Sequence, residues 1–286
     1  MSLTAGVDVG STYTKAIVLD GERRILGRGL EPTGFRLDTV AERTLAAALD
    51  AAGARRDDVA YTVATGFGRH QMAAADTHVT DLTASARGAA FLFPGTRTVL
   101  DVGGQTMKAS RLEANAWVKS FRLNDKCAAG TGAFLEKTAR YMGFSTIEIG
   151  PLVETSRTAV PISGVCAVFA ESEVINQLSE GTAPADIMHG ALVSLVGRSL
   201  QLMKRVQMEP EFTLLGGIMR FGKMIEVVRQ QLGHDVNVPA GDLVQFTAAL
   251  GAALLGRLRL ERLAASEGAG DVAGDRAPGS GAGAAQ

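Results

Sequence analysis

The chain carries two cysteines, and each stands where a loop gives way to a stretch with helical periodicity. Cys127 lies in residues 124–132, which are rich in small residues and glycine, and Cys166 directly precedes an apolar stretch that runs to Ser179. A helix dipole favours thiolate at its N-terminus, so both side chains are candidate metal ligands. Their separation of 39 positions is unlike the CxxC pairs of a zinc ribbon.

Two buried, inert cysteines are the alternative, because free Cys is among the most buried residue types. A disulfide is the weaker explanation, since the N-terminus has no signal-peptide pattern and the expected compartment is the cytoplasm, where thiols stay reduced. A [4Fe–4S] cluster needs four thiolates and carries negative charge, which helix N-termini favour. One chain supplies two, so a cluster would require a second subunit to complete it.

The composition gives no reason to expect nucleic acid or a membrane as partner. The chain has 286 residues, a formal net charge of −1 and 46% hydrophobic residues, enough for a sizeable core. The apolar runs are shorter than the roughly 20 residues that a membrane helix needs. Residues 266–286 are dominated by Gly, Ala, Ser, Asp and Pro and cannot bury enough apolar area to offset their ordering entropy, so we expect a disordered tail.

A repeat inside the chain predicts two related α/β lobes. After a shift of 93 positions, five of nine residues are identical, in the same strand–turn–strand–turn–strand layout. The matching residues are Asp8, Val9, Gly10, Lys15 and Ala16 in one copy and Asp101, Val102, Gly103, Lys108 and Ala109 in the other. Internal repeats fix an architecture. We therefore expect a first lobe over residues 1–95 and a second, more helical lobe over residues 96–265.

Each copy opens with an Asp-x-Gly hairpin, and two such hairpins suit a phosphate clamp. Tight glycine turns point backbone N–H groups at phosphate oxygens, and nearby polar side chains add donors. Asp8 and Asp101 would hold Mg²⁺ through water. For either copy alone, the alternative interpretation is an ordinary hairpin turn. The presence of both copies counts against that alternative. The candidate nucleotide ligands are Gly10, Ser11, Thr12, Lys15, Gly103, Gly104 and Gln105.

These pieces resemble the sugar kinase–Hsp70–actin ATPase superfamily, in its order along the chain. Gly216 and Gly217, after a strand that ends at Leu215, resemble its adenosine loop, and residues 249–253 resemble its second connecting helix, where small residues let two helices cross closely. The resemblance makes Glu171 a candidate to position the metal or the attacking water. A solvated helix residue is the alternative for Glu171.

The two cysteine segments, 124–132 and 166–173, resemble a narrower family: the ATPase components of benzoyl-CoA reductase and the activators of 2-hydroxyacyl-CoA dehydratases. The resemblance runs from about residue 3 to 258. It implies that Cys127 and Cys166 bind one [4Fe–4S] cluster shared by a dimer, that ATP hydrolysis swings the helices that start at the cluster, and that an electron from ferredoxin or flavodoxin passes to a separate catalytic component.

Two features favour the benzoyl-CoA reductase branch, whose catalytic subunits dearomatise a ring. Thr106 follows Gln105, where many dehydratase activators have Asp, and the length is typical of the shorter ATPase subunit. That branch implies a homologous rather than identical partner subunit. The alternative is a homodimeric dehydratase activator. A small-molecule kinase, which would need a catalytic carboxylate facing a substrate pocket, and a nucleotide-switched binding protein, which would need an appendage or polymer contacts, are further alternatives on this fold.

Overall fold

Two five-stranded mixed sheets with the same topology form the frame of the protein. The computed structural model describes residues 2–162 and 167–271, so Cys166 lies outside the described residues. The strand orders are β3-β2-β1-β4-β5 and β8-β7-β6-β9-β10. In each sheet the first two strands make an antiparallel hairpin, and the first strand pairs in parallel with the fourth. This confirms the predicted repeat.

The strands of the first sheet are β1 (Leu3–Val9), β2 (Tyr13–Leu19), β3 (Ile25–Pro32), β4 (Val59–Thr65) and β5 (Thr77–His78). Those of the second are β6 (Thr98–Val102), β7 (Met107–Leu112), β8 (Val118–Asn124), β9 (Phe212–Leu215) and β10 (Val236–Asn237). The helices are α1 (Leu37–Ala52), α2 (Asp81–Leu92), α3 (Gly132–Tyr141), α4 (Ile149–Glu154), α5 (Ala167–Ser179), α6 (Pro184–Arg205), α7 (Gly222–Leu232) and α8 (Leu243–Asp271).

Helix boundaries follow local signals in the sequence. Helix α1 ends at Gly53, whose φ of 63° and backbone bond to Asp50 close it in the left-handed conformation that glycine adopts without strain. Helix α2 begins after Thr80, whose hydroxyl accepts the N–H of Thr83, a standard N-cap. Helix α4 and strand β5 were not predicted, because a helix of 6 residues and a strand of 2 residues are too short to show a period.

Helices α2 and α8 cross at very short distance. A Cβ at Gly251 would lie 1.8 Å from the carbonyl oxygen of Ala84, and one at Gly88 would lie 2.2 Å from that of Thr247. Only glycine permits such an approach of two backbones. This confirms the expectation that small residues on the last helix allow a close helix crossing.

Helix α8 completes the first lobe, although it comes last in the chain. Its Phe246, Leu250 and Leu254 form one buried cluster with Ile17 and Leu19 of β2. Within Leu243–Ser266, a helical stretch of 24 residues, an 18-residue window has a mean hydropathy of 1.3, so by length and composition alone this helix could cross a membrane. Because 56% of that window is buried inside the protein and its apolar side chains pack on β2, α8 is a core helix of the fold.

Helix α8 extends into the region that was predicted as the tail. Helix α8 continues to Asp271, past the predicted boundary at Ser266, because residues 263–266 still suit a helix before the glycines accumulate. Residues 272–286, the rest of the predicted tail, lie outside the described residues. The division into lobes at 95/96 stays a prediction.

Candidate functional site: a nucleotide cleft and a cysteine loop

The first predicted phosphate loop holds a buried carboxylate against a lysine. Asp8 ends β1, and its Oδ2 lies 3.0 Å from Nζ of Lys15, the residue opposite it on β2. Gly66, at the end of β4, has a φ of +89°, and a Cβ there would lie 2.4 Å from Oδ1 of Asp8. Asp8 is therefore fixed by an ion pair on one side and by glycine backbone on the other.

The second loop repeats this arrangement and adds to it. Lys108 lies opposite Asp101, with Nζ 3.9 Å from Oδ2, and Gly216 (φ +97°) would place a Cβ 2.8 Å from Oδ1 of Asp101. Helix α2 supplies two further partners: Asp81, 2.5 Å from Lys108 Nζ, and Ser85, whose hydroxyl donates to Asp101 Oδ2 at 3.2 Å. The second loop is thus tied to the helix that joins the lobes.

Lys108 stays charged in this setting. Burial acts to lower the pKa of its ammonium group, but the charges of Asp101 and Asp81, and that of Asp8, outweigh it, so the pKa of Lys108 is raised above its ordinary value. The charge of Asp8, which belongs to the first loop, acts on Lys108 in the same direction as those of Asp101 and Asp81.

The tips of the loops meet in the cleft. A Cβ at Gly104 would lie 2.3 Å from Oγ1 of Thr12, so the two turns touch across the lobes. Thr33 shapes the first turn, because its hydroxyl donates to the carbonyl oxygen of Gly10 at 2.8 Å and its N–H to that of Thr12 at 3.0 Å. Ser11, Thr12 and Gln105 are exposed. Their polar groups are available to a phosphate group between the turns.

The predicted adenosine loop follows β9 in the same region. Gly216 donates its N–H to the carbonyl of Val244 at 3.1 Å, and Gly217 begins a 3-10 turn that ends at Arg220. Gln245 lies beside this turn and was not predicted from the sequence. Its Nε2 is buried and has no hydrogen-bond partner within the described ranges, so it has a donor available for a ligand.

Helix α3 begins on the second phosphate loop. The N–H of Gly132 donates to the carbonyl of Gly103 at 2.9 Å, and that of Ala133 to the carbonyl of Gly104 at 2.7 Å. These are among the first N–H groups of the helix, which have no partner inside it. A Cβ at Gly132 would lie 2.7 Å from Cδ1 of Ile218 and 3.2 Å from the Gly103 carbonyl oxygen, so a larger residue would have to displace its neighbours. The start of α3 is therefore bonded directly to this phosphate loop.

Cys127 lies on the loop that leads into α3. Asn124 fixes it, accepting the N–H of Cys127 at 3.2 Å and donating to its carbonyl at 3.1 Å. The cysteine is a free, half-exposed thiol, and Nη1 of Arg198 donates to its Sγ at 3.8 Å. Arg198, on α6, was not predicted, since nothing in the sequence relates two residues 71 positions apart.

The helix predicted from Gly132 begins at that residue, one short turn after Cys127. The cysteine precedes one 3-10 turn, Ala128–Gly130, and α3 starts only at Gly132. Glycine at 130 and 132 disfavours continuous helix there. The charged neighbour of the thiol is therefore the guanidinium of Arg198 rather than an α-helix N-terminus. The distance between Cys127 and Cys166 stays a prediction, because Cys166 lies outside the described residues.

Glu171 contacts α3 rather than the phosphate loops in the described structure. Lys137 Nζ donates to its Oε2 at 2.8 Å, and the Tyr141 hydroxyl donates to its Oε1. The bond from Lys137, followed by that from Tyr141, lowers the pKa of the Glu171 carboxyl. Glu171 thus links α5, the helix after Cys166, to α3, the helix after Cys127. Its predicted role toward metal or water is not tested by these contacts.

The donor set fits part of a metal site and not a whole one. In residues 2–162 and 167–271, no three or more His, Cys, Asp or Glu side chains form a group that could hold a metal ion. Cys127 offers one accessible thiol beside a cationic donor, which suits the negative charge of an iron–sulfur cluster. The cleft offers two fixed carboxylates, Asp8 and Asp101, which suit a hydrated Mg²⁺.

Comparison with known proteins identifies what the chain is similar to. Residues 5–256 match the model of the BadF/BadG/BcrA/BcrD ATPase family. The activator of lactoyl-CoA dehydratase from Anaerotignum propionicum is 39% identical over 251 residues, covering 88% of this chain and 96% of that protein. A benzoyl-CoA reductase component from Thauera aromatica is 32% identical over 279 residues, covering 92% and 96%.

Solved structures agree with this assignment. The activator of 2-hydroxyisocaproyl-CoA dehydratase from Clostridium difficile with bound ADPNP has a TM-score of 0.86 and 34% identity, covering 92% of this chain and 97% of that chain. A ROK family glucokinase from Streptomyces griseus, with a TM-score of 0.56 and 17% identity over 90% and 100% of the chains, shares the fold alone. These likenesses confirm the predicted actin/Hsp70/sugar-kinase-like ATPase fold.

Proposed function

We propose, from the premise that the chain belongs to the BadF/BadG/BcrA/BcrD ATPase family, that it is an ATP-driven activator of a 2-hydroxyacyl-CoA dehydratase. In this proposal ATP and Mg²⁺ bind between the two phosphate loops, and two subunits share one [4Fe–4S] cluster. Electrons from ferredoxin or flavodoxin pass through the dimer to a separate dehydratase component. The reaction belongs in the cytoplasm, where thiols stay reduced.

One observation carries the proposal. The N-terminus of α3 is hydrogen-bonded to the second phosphate loop, and the same end of the helix follows closely on the loop that carries Cys127. Gly103 and Gly104 accept from the first N–H groups of α3, and only the turn 128–130 separates that helix from the cysteine loop. A change at the nucleotide phosphates is therefore carried to the thiol over a few residues. Neither a kinase nor a simple binding protein needs a cysteine at this place.

The cysteines and the cleft have separate parts in this function. Cys127, together with Cys166, would hold the cluster, which supplies one-electron transfer at low potential when bound. Asp8 and Asp101 would position Mg²⁺, while Ser11, Thr12, Lys15 and Gln105 bind phosphate oxygens. Gly216, Gly217 and Gln245 would receive the adenosine part. Lys108 holds Asp101 in place through the ion pair.

Two sequence features favoured the benzoyl-CoA reductase branch, but the comparisons favour the alternative, an activator of a 2-hydroxyacyl-CoA dehydratase. The dehydratase activators are 37% to 39% identical to the chain, whereas the benzoyl-CoA reductase component is 32% identical. Thr106, which favoured the reductase, contributes its backbone carbonyl to the loop, where it accepts the N–H of Gly103 at 2.8 Å. Any side chain at 106 can make that bond, so the residue does not decide the branch.

The experiment is anaerobic purification followed by transfer of electrons to two different acceptors. We expect a brown dimer with one [4Fe–4S] cluster, which hydrolyses ATP and, with reduced ferredoxin or flavodoxin, activates a dehydratase component. Activation of benzoyl-CoA reductase catalytic subunits instead would restore the reductase branch. A colourless protein with full ATPase activity, or transfer of phosphate to a small molecule, would refute the proposal.

A further inference from the structure

We infer that Arg198 is a positioning residue for the metal group at Cys127, donating hydrogen bonds to its sulfur atoms and thereby raising its reduction potential. The inference rests on the proposed function, because it assumes that Cys127 is a cluster ligand. It concerns a residue on α6, a helix remote from Cys127 in sequence, that neither the repeat nor the cysteine motifs include.

Arg198 already contacts the thiol in the folded chain. Its Nη1 donates to Cys127 Sγ at 3.8 Å, the distance of a hydrogen bond to sulfur. Helix α6 is held in place by its other faces, where Leu192, Leu195 and Leu202 belong to the core of the second lobe, and it also contacts the turn after Cys127 and strand β8. The guanidinium is therefore presented to the cysteine loop from a rigid element.

The Arg198 side chain has further hydrogen-bond donors that are not used within the described part of the chain. Nε and Nη2 of Arg198 are buried and have no hydrogen-bond partner in the part of the chain that is described. Ser194, one turn earlier on α6, has a buried hydroxyl in the same state. Buried donors without partners cost free energy, and a sulfur-rich anion beside Cys127 would satisfy them.

The chemistry of the group fixes the direction of the effect. A cluster gains one negative charge when it accepts an electron, and a nearby guanidinium stabilises the more negative state. Hydrogen bonds to the sulfurs act in the same direction, and both are known determinants of cluster potential. Removing the guanidinium therefore lowers the reduction potential. Lysine keeps the charge but has no planar fork of donors, so it should restore only part of the effect.

The test measures the midpoint potential of the reconstituted dimer by electron paramagnetic resonance at stepped potentials. For Arg198→Met we expect at least a tenfold shift of the reduced-to-oxidised ratio toward the oxidised form at fixed potential, which is about 59 mV for one electron. Arg198→Lys should lie between this variant and the wild type. The matched control is Arg205→Met on the same helix, an exposed arginine, which should leave the potential unchanged. ATPase activity should remain within about twofold in all three.

Each outcome decides the inference. An Arg198→Met dimer with a full cluster and a wild-type potential refutes it, as does an Arg198→Lys dimer with that potential if the methionine variant fails to fold. A folded methionine variant that no longer retains iron, with the lysine variant retaining it, supports the positioning role. If the wild type itself takes up no cluster, the proposed function fails first, and that result is distinguishable from an unchanged potential.

Discussion

The two lobes are built on the same plan, and they differ in what else their phosphate loops contact. Each has an aspartate at the end of its first strand, a lysine opposite it, and a positive-φ glycine against the carboxylate. In the first lobe Asp8 is bonded to Lys15 of the same hairpin. In the second lobe the equivalent pair is bonded to Asp81 and Ser85 of α2, and the loop carbonyls accept from α3.

This difference indicates that the two duplicated phosphate loops have different structural roles. The first loop is anchored within its own sheet by Thr33, so it can act as a fixed wall of the cleft. The second loop is connected to the interlobe helix on one side and to the cysteine loop on the other. On the proposed function, a nucleotide that moves the second loop relative to the first would therefore also move α3. Among the described residues, only the second of the two duplicated loops is bonded to α3.

The largest expected effect separates the cysteine loop from the cleft. Replacing Cys127 by alanine should remove all iron from the purified dimer while ATP binding persists, because the thiol contacts no residue of the first loop among those described. Iron and sulfide analysis beside nucleotide-binding titration would measure both. Loss of ATP binding with retention of iron would reverse the roles given to the two regions.

A large effect on turnover is expected from the second aspartate. Asp101→Asn should lower kcat for ATP by about 10²- to 10³-fold, the size typical of losing one preorganised electrostatic group, with cluster content unchanged. Asp50→Asn on α1, an exposed carboxylate, is the matched control and should behave as wild type. Cluster loss with normal ATPase activity in Asp101→Asn would contradict its assignment to the metal.

A moderate effect tests whether the two glycine contacts are equivalent. Gly66→Ala and Gly216→Ala should each destabilise the protein by about 2–4 kcal/mol, combining backbone strain at positive φ with a clash against Asp8 or Asp101. Gly34→Ala, which has φ +60° and no atom within 4 Å of the added Cβ, should cost only about 1 kcal/mol. Urea unfolding would measure all three, and equal losses would mean that the clash is relieved.

The smallest effect concerns the segment that leads toward Cys166, for which the first lobe has no counterpart among the described residues. Asp186 accepts the N–H groups of Thr158 and Arg157 and the hydroxyl of Ser156. These bonds, that of Thr158 first, hold the pKa of Asp186 below its ordinary value. A lowered pKa stabilises the fold above the unfolded pKa of about 4 and ceases to do so as pH falls through the native pKa.

The corresponding variant is Asp186→Asn, followed by urea unfolding as a function of pH. It should be less stable than wild type at pH 7, and the difference should shrink as the pH falls below about 4. A difference that stays unchanged down to about pH 3 would mean that the ionised carboxylate has no favourable partners in the folded state.

Much of the fold could be predicted because the same strand pattern occurs twice in the sequence. The repeat gave the same strand order in both sheets, and the helices α1, α3 and α5 follow from periodicity and glycine stops. The second phosphate loop and Gly216 lie together because they follow β6 and β9, which are neighbours in one sheet, and the first loop meets the second where Thr12 approaches Gly104. Short elements such as α4 could not be predicted, because 6 residues with a proline among them are too few to show a helical period.

The parts that escaped prediction depend on contacts between distant elements. Arg198 meets Cys127, and Asp81 meets Lys108, through packing of helices against loops, which no local pattern encodes. Helix α3 was predicted from Gly132 and begins there, but the 3-10 turn Ala128–Gly130 between Cys127 and the helix was not predicted. Gln245 could not be recognised as a site residue from the sequence, because a single amide within an apolar helix is not a distinctive signal.

The late position of α8 in the chain also governs how the protein is made. Ile17 and Leu19 leave the ribosome about 230 residues before Phe246, Leu250 and Leu254, the side chains that cover them. At about 5–20 residues per second of synthesis, that interval is on the order of 10–50 s. The first lobe therefore waits with an uncovered apolar face during translation, and chaperone protection at that stage serves this half of the molecule more than the other.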